Sequence, residues 1–192
     1  LVYDGLEHVP IATLPGMGER TLTVNSTGKT FSLTGWKIGF AVGPPDLVGA
    51  VRAVRQFMTF ATATPFQEAM ATALEEAPGR GYYDDLRAAY AGRRAALTAA
   101  LEGAGFTVLP AQGSYFLLTD FAGQDHPDDV AFCRWLIDAA GVAAIPPSAF
   151  YLEPSTAPRL ARFCFAKSPD TIAEAGRRLL RTLARAPRAG AP

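Results

Sequence analysis

The amino-acid sequence predicts an α/β chain in which part of a mixed sheet with helices is followed by a smaller α+β unit. Short segments rich in β-branched and aromatic residues alternate with longer segments of helical periodicity. The composition also changes near residues 80–90, where a long helical segment begins. We therefore expect one domain at 1–82, a second at 83–186, and a disordered tail rich in Pro and Ala at 187–192.

The first part is expected to be the edge of a sheet with helices. Alternating β-branched residues predict a strand at 21–25, and a second strand at 37–43 ends at a Gly-Pro-Pro sequence. The residues between them, 26–35, are expected to form a loop. Helices are expected at 46–58, directly after Pro45, and at 65–76, which begins with Pro65. Proline suits the start of a helix because its missing N–H would be unpaired there.

The second part begins with a long helix at 83–102 that glycines end. Asp128 and Ser168 have side chains preferred at helix N-caps, and each is expected to precede a helix, the second with Pro169 at its first position. These two helices are expected to end at 140 and at about 184. The expected strands of this part are 106–109, 114–118, 141–145 and 159–165.

The composition excludes several classes of function. The chain has 18 basic and 18 acidic side chains, so nothing electrostatic favours nucleic acid or an anionic membrane as a partner. No apolar run reaches the roughly 18 residues that span a bilayer, and no signal peptide is visible at the start. Cys133 and Cys164 lack the spacing of metal ligands. We therefore expect a cytoplasmic protein with reduced thiols and no metal site.

Lysine is rare in this chain, which contains fifteen arginines but only Lys29, Lys37 and Lys167. Arginine can replace lysine on a solvated surface, but not where an amine must lose its proton and act as a nucleophile. Chance can also leave three lysines in such a chain. The first two lie eight residues apart, on either side of the expected loop, and this segment is the first place to look for chemistry.

Three classes of site contain a lysine in a sequence such as Ser-Thr-Gly-Lys-Thr at 26–30. A phosphate-binding P-loop is rejected, because its first glycine would fall at Thr23, inside an expected strand. The Ser-x-x-Lys pair of penicillin-binding enzymes remains a distant alternative, since the other two motifs of that class do not occur. The third class is a lysine that binds an aldehyde cofactor covalently.

A cofactor-binding lysine needs a constrained loop at a sheet edge. Its amine must lose a proton readily, which partial burial and a nearby cation favour. The phosphate of the cofactor needs hydroxyl, N–H and cationic donors. Ser26, Thr27 and Lys37 can supply these donors around Lys29. Ordinary loop polarity would also explain the two hydroxyl residues.

The whole segment 25–39, Asn-Ser-Thr-Gly-Lys-Thr-Phe-Ser-Leu-Thr-Gly-Trp-Lys-Ile-Gly, resembles the lysine segment of fold-type I pyridoxal-phosphate-dependent aminotransferases. It is most similar to the branch of kynurenine, glutamine-phenylpyruvate, methionine and N-succinyldiaminopimelate aminotransferases. The resemblance implies that Lys29 holds pyridoxal 5'-phosphate and that Ser26 and Lys37 bind its phosphate. It also implies the C-terminal part of the large domain, followed by the small α+β C-terminal domain.

Segments 110–116, 142–151 and 162–167 resemble later segments of the same family, in order, so the resemblance covers about 180 residues. Arg162 lies in an apolar strand, where its guanidinium must meet a planar anion or extend to solvent. A salt bridge to a nearby carboxylate would satisfy it equally well; the resemblance implies that it binds the substrate α-carboxylate. The resemblance further suggests that Thr62 reaches the phosphate held by the partner subunit, although a polar loop residue is an equal explanation.

The activity implied by the resemblance is transamination between an L-amino acid and a 2-oxo acid by a homodimer. The family's residues for the cofactor ring would precede residue 1. We therefore expect a C-terminal half that is inactive alone. Two alternatives remain open: a carbon–sulfur β-lyase on the same fold, and a non-catalytic remnant of a truncated gene.

Overall fold

A computed structural model of the chain describes residues 1–121 and 123–184. These residues form two compact units, which are described separately. Residues 7–83 are the first unit, and residues 1–6 with those from Asp84 onward are the second unit. The sequence places residues 1–6 in the first domain, whereas the structure joins them to the second unit.

Buried and ion-paired side chains explain why the amino-terminal residues join the second unit. Tyr3 is 2% exposed, and its hydroxyl donates to the carbonyl oxygen of Ser114 at 2.7 Å. Burial raises the pKa of Tyr3 to about 12, because it disfavours the phenolate. Arg94 binds both carboxylate oxygens of Asp4, at 2.6 and 2.8 Å, and lies 4.4 Å from the centre of the Tyr3 ring. A buried ring and a bidentate ion pair therefore fix the segment.

The first unit contains a two-stranded antiparallel sheet with helices. Its elements are strand β1 at Thr23–Ser26, the one-turn helix α1 at Thr27–Thr30, strand β2 at Gly39–Val42, helix α2 at Pro45–Met58 and helix α3 at Thr64–Glu76. Three 3₁₀ turns lie at Ile11–Thr13, Gly18–Arg20 and Thr34–Trp36. The two strands and the two longer helices predicted for this part are confirmed.

The loop predicted at 26–35 is wrong at its start, where α1 forms a helical turn. The Ser26 side chain caps this turn by accepting a hydrogen bond from the Gly28 N–H at 3.3 Å. Strand pairing places Ser26 opposite Gly39, so the turn begins where the sheet ends. A Cβ at Gly39 would lie 2.5 Å from a carbonyl oxygen of β1, and the strands can therefore approach this closely only with glycine there.

The second unit contains a three-stranded antiparallel sheet of order β3-β4-β5. Helix α4 at Tyr82–Gly103 leads into it. The other elements are strand β3 at Thr107–Val108, strand β4 at Phe116–Asp120, helix α5 at Asp129–Ala140, strand β5 at Leu160–Cys164 and helix α6 at Pro169–Leu183, with 3₁₀ turns at Pro147–Phe150 and Pro154–Thr156. In the described ranges, no helix combines the length and the hydropathy needed to cross a membrane.

Both predicted N-caps of the second unit are confirmed. The Asp128 carboxylate accepts a hydrogen bond from the Ala131 N–H at 2.7 Å, at the start of α5. The Ser168 hydroxyl accepts one from the Thr171 N–H at 3.2 Å, at the start of α6. Each cap satisfies an N–H group that has no partner within its helix. The tail predicted at 187–192 lies outside the described residues.

The strand predicted at 141–145 is wrong. Gly141 has a left-handed conformation, with φ 63°. The N–H groups of Gly141 and Val142 bind carbonyl oxygens in the last turn of α5, at 2.9 and 3.3 Å. Because these groups end a helix, they do not pair with a strand. Within the described segment, the pairing to the sheet consists of two 3.0 Å backbone hydrogen bonds between Ile145 and Arg162.

The core of the second unit lies on one face of its sheet. In β5, Ala161 and Phe163 are buried, while the residues between and beside them are half-buried on the other face. This alternation follows from the two-residue period of a strand. It places Arg162 on the face turned away from the core. Fully buried members of the core include Leu101 of α4, Phe132 and Leu136 of α5, and Leu179 of α6.

Candidate active site

Lys29 lies on α1, in the turn that follows the first strand of the first unit. The turn is anchored by Thr27, which is 3% exposed. Its backbone N–H and its hydroxyl both donate to the carbonyl oxygen of Ile38, at 3.1 and 2.9 Å. These two bonds tie the turn to the residue that precedes β2. Lys29 therefore extends an exposed side chain from a fixed backbone.

The same turn is too tightly folded to hold a side chain at Gly28. A Cβ there would lie 2.9 Å from the Cα atom of Thr34, and the Gly28 carbonyl accepts a hydrogen bond from the Leu33 N–H at 2.8 Å. The chain thus doubles back directly after Lys29. Within the first unit Lys29 is exposed, which differs from the partial burial expected from the sequence. This unit constrains the amine without enclosing it.

Lys37 has a left-handed backbone conformation, with φ 57° and ψ 36°. That conformation costs a residue other than glycine roughly 1–2 kcal/mol. Its neighbours hold it in place: the Trp36 ring stacks on Phe66 at 4.7 Å, and Ile38 is 7% exposed. The side chain of Lys37 itself is exposed. Strained residues fixed by their surroundings are typical of ligand-binding positions.

Lys37 lines an open cleft of about 760 Å³ within the first unit. Two arginines of α2 and the side chain of Thr62 also line it, and no Asp or Glu is among its described lining residues. The cleft therefore offers cationic and hydroxyl donors to an anion such as a phosphate. The structure brings Lys37 and Thr62 to one cleft, while Ser26 and Lys29 lie on the adjacent turn, outside its lining.

Thr62 is held in this cleft by two hydrogen bonds. Its hydroxyl oxygen accepts one from the Arg55 guanidinium, and its carbonyl oxygen accepts one from the Gln67 amide at 2.9 Å. Because the hydroxyl group is an acceptor towards Arg55, its own proton is available for a second group. Thr62 can therefore donate to an anion in the cleft.

Arg162 is the candidate substrate-binding residue in the second unit. Its guanidinium carbon lies 4.1 Å from the centre of the Phe116 ring and 4.6 Å from that of Phe150. Phe116 lies on the neighbouring strand, two residues before Leu118, which pairs with Arg162. It therefore projects from the same face of the sheet. Aromatic rings on a guanidinium attract the cation and leave its N–H edge to bind other groups.

The guanidinium of Arg162 lacks an internal counterion in the part of the chain that the structure describes. Its Nε atom is buried without a hydrogen-bond partner, and no Asp or Glu in that part lies within ion-pair distance. The salt bridge considered from the sequence is therefore not found there. An arginine in such a position can receive the two oxygens of a carboxylate side by side.

Arg159 provides a contrast, because its contacts are structural. It donates to the carbonyl oxygen of Gln124 at 3.0 Å, and its guanidinium lies 4.9 Å from the centre of the Phe121 ring. The two arginines are three residues apart, yet Arg159 has hydrogen-bond partners within the protein, whereas the buried Nε of Arg162 has none among the described residues. The sequence pattern favours Arg162 as the ligand-binding residue, and the contacts are compatible with that choice.

Sequence reasoning missed Phe116 and Phe150, the two aromatic residues on Arg162. No spacing in the sequence links them to the arginine, because the contact depends on strand register and on the path of the 146–150 segment. The sequence does place both residues within segments that resemble the family. Among the residues that the structure describes, no group of three or more His, Cys, Asp or Glu is arranged to hold a metal.

Comparison with known proteins gives a consistent family match. The family model described as aminotransferase class I and II matches residues 1–179. A kynurenine–oxoglutarate transaminase of Dictyostelium discoideum is 38% identical over 199 residues, which span 94% of this chain and 46% of that protein. A probable N-succinyldiaminopimelate aminotransferase of Mycobacterium tuberculosis is 42% identical over 190 residues, spanning 93% and 47%.

A solved structure agrees with the sequence matches. It is an Escherichia coli protein for which a methionine aminotransferase function was identified, and it superimposes with a TM-score of 0.87 at 38% identity. The match covers 94% of this chain and 47% of that one. The chain thus spans about half the length of the curated relatives and structures it matches.

Proposed function

The chain belongs to the class I and II aminotransferases, and from this premise we propose that it forms part of an enzyme that transfers the amino group of an L-amino acid to a 2-oxo acid. Enzymes of this family depend on pyridoxal 5'-phosphate. We infer that the chain supplies the cofactor lysine, phosphate-binding residues and the substrate-binding arginine. The proposed substrate is an amino acid with an aromatic, sulfur-containing or succinylated side chain, because these are the amino acids on which its relatives act.

The residues of the first unit are compatible with the cofactor phosphate. Lys37 and Thr62 line a cleft with cationic donors and no described carboxylate, and Ser26 begins the turn that carries Lys29. In our proposal Ser26 and Lys37 bind the phosphate. Thr62 is proposed to act on a different phosphate, the one held by the partner subunit of a homodimer, to which it would donate a hydroxyl proton.

Lys29 is proposed to have two roles in turn. Its Nζ atom would be the group that holds the cofactor covalently by its aldehyde carbon. As a free amine, Nζ removes the proton from the substrate Cα atom and later returns a proton as general acid. Pyridoxal phosphate, when bound, supplies an electron sink for the charge that develops at Cα. A fixed backbone with an exposed amine suits both roles.

Arg162 supports the proposal most directly. The guanidinium is half-buried, its Nε is buried without a partner, and it has no described counterion, so its charge is not committed within the chain and is available to an anion. We propose that it binds the α-carboxylate of the amino acid and of the 2-oxo acid. Both substrates carry this group, so one arginine can serve both halves of the reaction.

We further propose that the chain corresponds to the C-terminal half of a full-length, cytoplasmic enzyme. The order of the lysine segment, the 110–116 segment and the Arg162 strand supports this placement through the resemblance. On this view the residues that bind the cofactor ring lie outside the 192 residues. Purified alone with pyridoxal phosphate, the 192-residue chain should therefore show no transamination, and turnover would contradict the placement.

Reductive labelling tests the central role of Lys29. Borohydride reduction of the full-length protein with pyridoxal phosphate should attach the label to the peptide that contains Lys29. Lys29→Ala should abolish the label, and Lys167→Arg is the matched control that should retain it. A label on Lys37 or Lys167 would overturn the assignment.

Product analysis tests the type of reaction. Incubation of the full-length protein with methionine, kynurenine or glutamine and a 2-oxo acid should give the corresponding new oxo acid and amino acid. Release of ammonia and a thiol from a cysteine conjugate, with no need for an amino acceptor, would instead identify a carbon–sulfur β-lyase.

A further inference from the structure

A buried carboxylate is hydrogen-bonded to the segment that carries Phe150, one of the two rings on Arg162. Asp129, the first residue of α5, is 5% exposed, and Ser148 is 6% exposed. The two carboxylate oxygens accept hydrogen bonds from the backbone N–H and the hydroxyl of Ser148, both at 2.7 Å. These two hydrogen bonds offset the cost of burying the carboxylate, and they tie the start of α5 to the segment that contains Ser148.

The segment that Ser148 belongs to is anchored at a second point. Ile145 and Arg162 exchange two backbone hydrogen bonds of 3.0 Å. After Ile145 the chain forms the 3₁₀ turn Pro147–Phe150. A hydrogen bond from the Tyr151 N–H to the Ser148 carbonyl oxygen, at 3.1 Å, closes this turn. Phe150, the last residue of the turn, is 66% exposed. Its ring lies on the Arg162 guanidinium, although little of its own surface is buried.

An exposed aromatic ring on a loop has few contacts that fix its position. The long-range hydrogen bonds that fix the backbone before Phe150 are the Ile145–Arg162 pairing and the Asp129–Ser148 bonds, and the buried Pro147 also packs the turn. We propose that Asp129 is a positioning residue: through Ser148 it holds Phe150 over Arg162, and so orients the guanidinium edge for the substrate carboxylate. The substrate role in this inference rests on the proposed function of Arg162.

Helix capping does not explain Asp129. The cap of α5 is the preceding residue, Asp128, whose carboxylate accepts from the Ala131 N–H at 2.7 Å while exposed to solvent. Two adjacent aspartates thus have different partners, one on the helix and one on the 146–150 segment. Asp128→Ala removes a helix cap and leaves the Ser148 bonds intact, which makes it a matched control.

The first measurement concerns the arginine alone. In the full-length protein labelled with ¹⁵N, the Arg162 Nε–H signal should be displaced by the rings of Phe116 and Phe150 and protected from exchange, because Nε is buried. Phe150→Leu should move the signal towards that of an unstacked arginine. Asp129→Ala and Ser148→Ala should move it in the same direction, and Asp128→Ala should leave it in place. The proposal is overturned if neither the Asp129 variant nor Ser148→Ala moves the Arg162 signal, or if Asp128→Ala moves it equally.

The second measurement concerns the substrate. In the full-length enzyme, Asp129→Ala should raise KM for both amino acid and 2-oxo acid by about tenfold with kcat nearly unchanged, since a misplaced carboxylate clamp weakens binding in the ground state and transition state alike. Ser148→Ala should show a smaller rise, and Asp128→Ala none. A loss of kcat at constant KM would contradict the positioning role. Failure of Lys29 to take the borohydride label would refute the proposed function while leaving the Arg162 signal as an independent test of the contact.

Discussion

Replacement of Arg162 by methionine separates a structural arginine from a ligand-binding one. Methionine keeps an unbranched side chain that can lie between Phe116 and Phe150, but it has neither charge nor N–H donors. If Arg162 serves to bind a ligand, its replacement by methionine should not strongly destabilise the folded chain. If the arginine had a buried ion-pair partner, the change should be strongly destabilising.

The magnitude follows from the contacts of Arg162. Loss of the two cation–π contacts should cost about 0.5–1 kcal/mol each, and sulfur–aromatic contacts return roughly 0.3–1.5 kcal/mol. Removal of the buried, unpaired Nε should return about 1–3 kcal/mol. Arg162→Met should therefore change the free energy of unfolding by between a loss of about 1 kcal/mol and a gain of about 3.5 kcal/mol. Breaking a buried ion pair would instead cost roughly 3–5 kcal/mol.

Urea unfolding of the 192-residue chain, followed by circular dichroism, measures this difference. Arg159→Met is the matched control, and it should lose about 1 kcal/mol because a real hydrogen bond to Gln124 disappears. In the full-length enzyme, Arg162→Met should weaken carboxylate binding by about 2–5 kcal/mol. A destabilisation above about 2 kcal/mol in the isolated chain, or unchanged substrate binding, would refute the reasoning.

Three further predictions concern the units separately. Gly39→Ala should destabilise the chain by about 1–3 kcal/mol, because its Cβ would lie 2.5 Å from a backbone oxygen. The control Gly49→Ala in α2 has open space around its Cβ and should stabilise the chain by up to about 1 kcal/mol. Equal midpoints of urea unfolding for the two variants would contradict this. The guanidinium bound to Asp4 lowers the pKa of that carboxyl below its ordinary 3.8, so its stabilising contribution is present above that value and is lost as pH falls through the lower folded-state pKa. Asp4→Asn should flatten the acid side of the stability profile, and superimposable profiles would count against the pair. Burial raises the pKa of Cys133 to about 11, so an alkylating reagent at pH 8 should modify half-buried Cys164 first, as mass spectrometry can establish; faster modification of Cys133 would contradict its burial.

Much of the local structure could be predicted because its causes are local. Asp128 and Ser168 cap their helices as expected, since a cap needs only the right side chain three residues before an N–H group. The lysine segment and the Arg162 strand carry the resemblance to the family, and the match of the family model to residues 1–179 confirms it. The paired strands of the first unit follow from their alternation of residues.

Other features depended on partners distant in sequence. The 141–145 segment has strand-like residues, but its first N–H groups are used to end α5. Ser26 caps a helical turn in a segment expected to be a loop, because the close strand pairing at Gly39 fixes where that turn begins. In both cases a tertiary or capping hydrogen bond overrode the local residue preference.

The sequence by itself indicated the family, the order of the longer helices and of the paired strands, and which lysine and arginine are the candidates for chemistry. Only the tertiary structure decided that Arg162 lies between Phe116 and Phe150 without a described counterion, and that Asp129 holds Ser148 nearby. The physical reason is register: contacts across a sheet depend on which residues of separate strands and loops stand opposite each other. Spacing along one chain cannot specify that pairing.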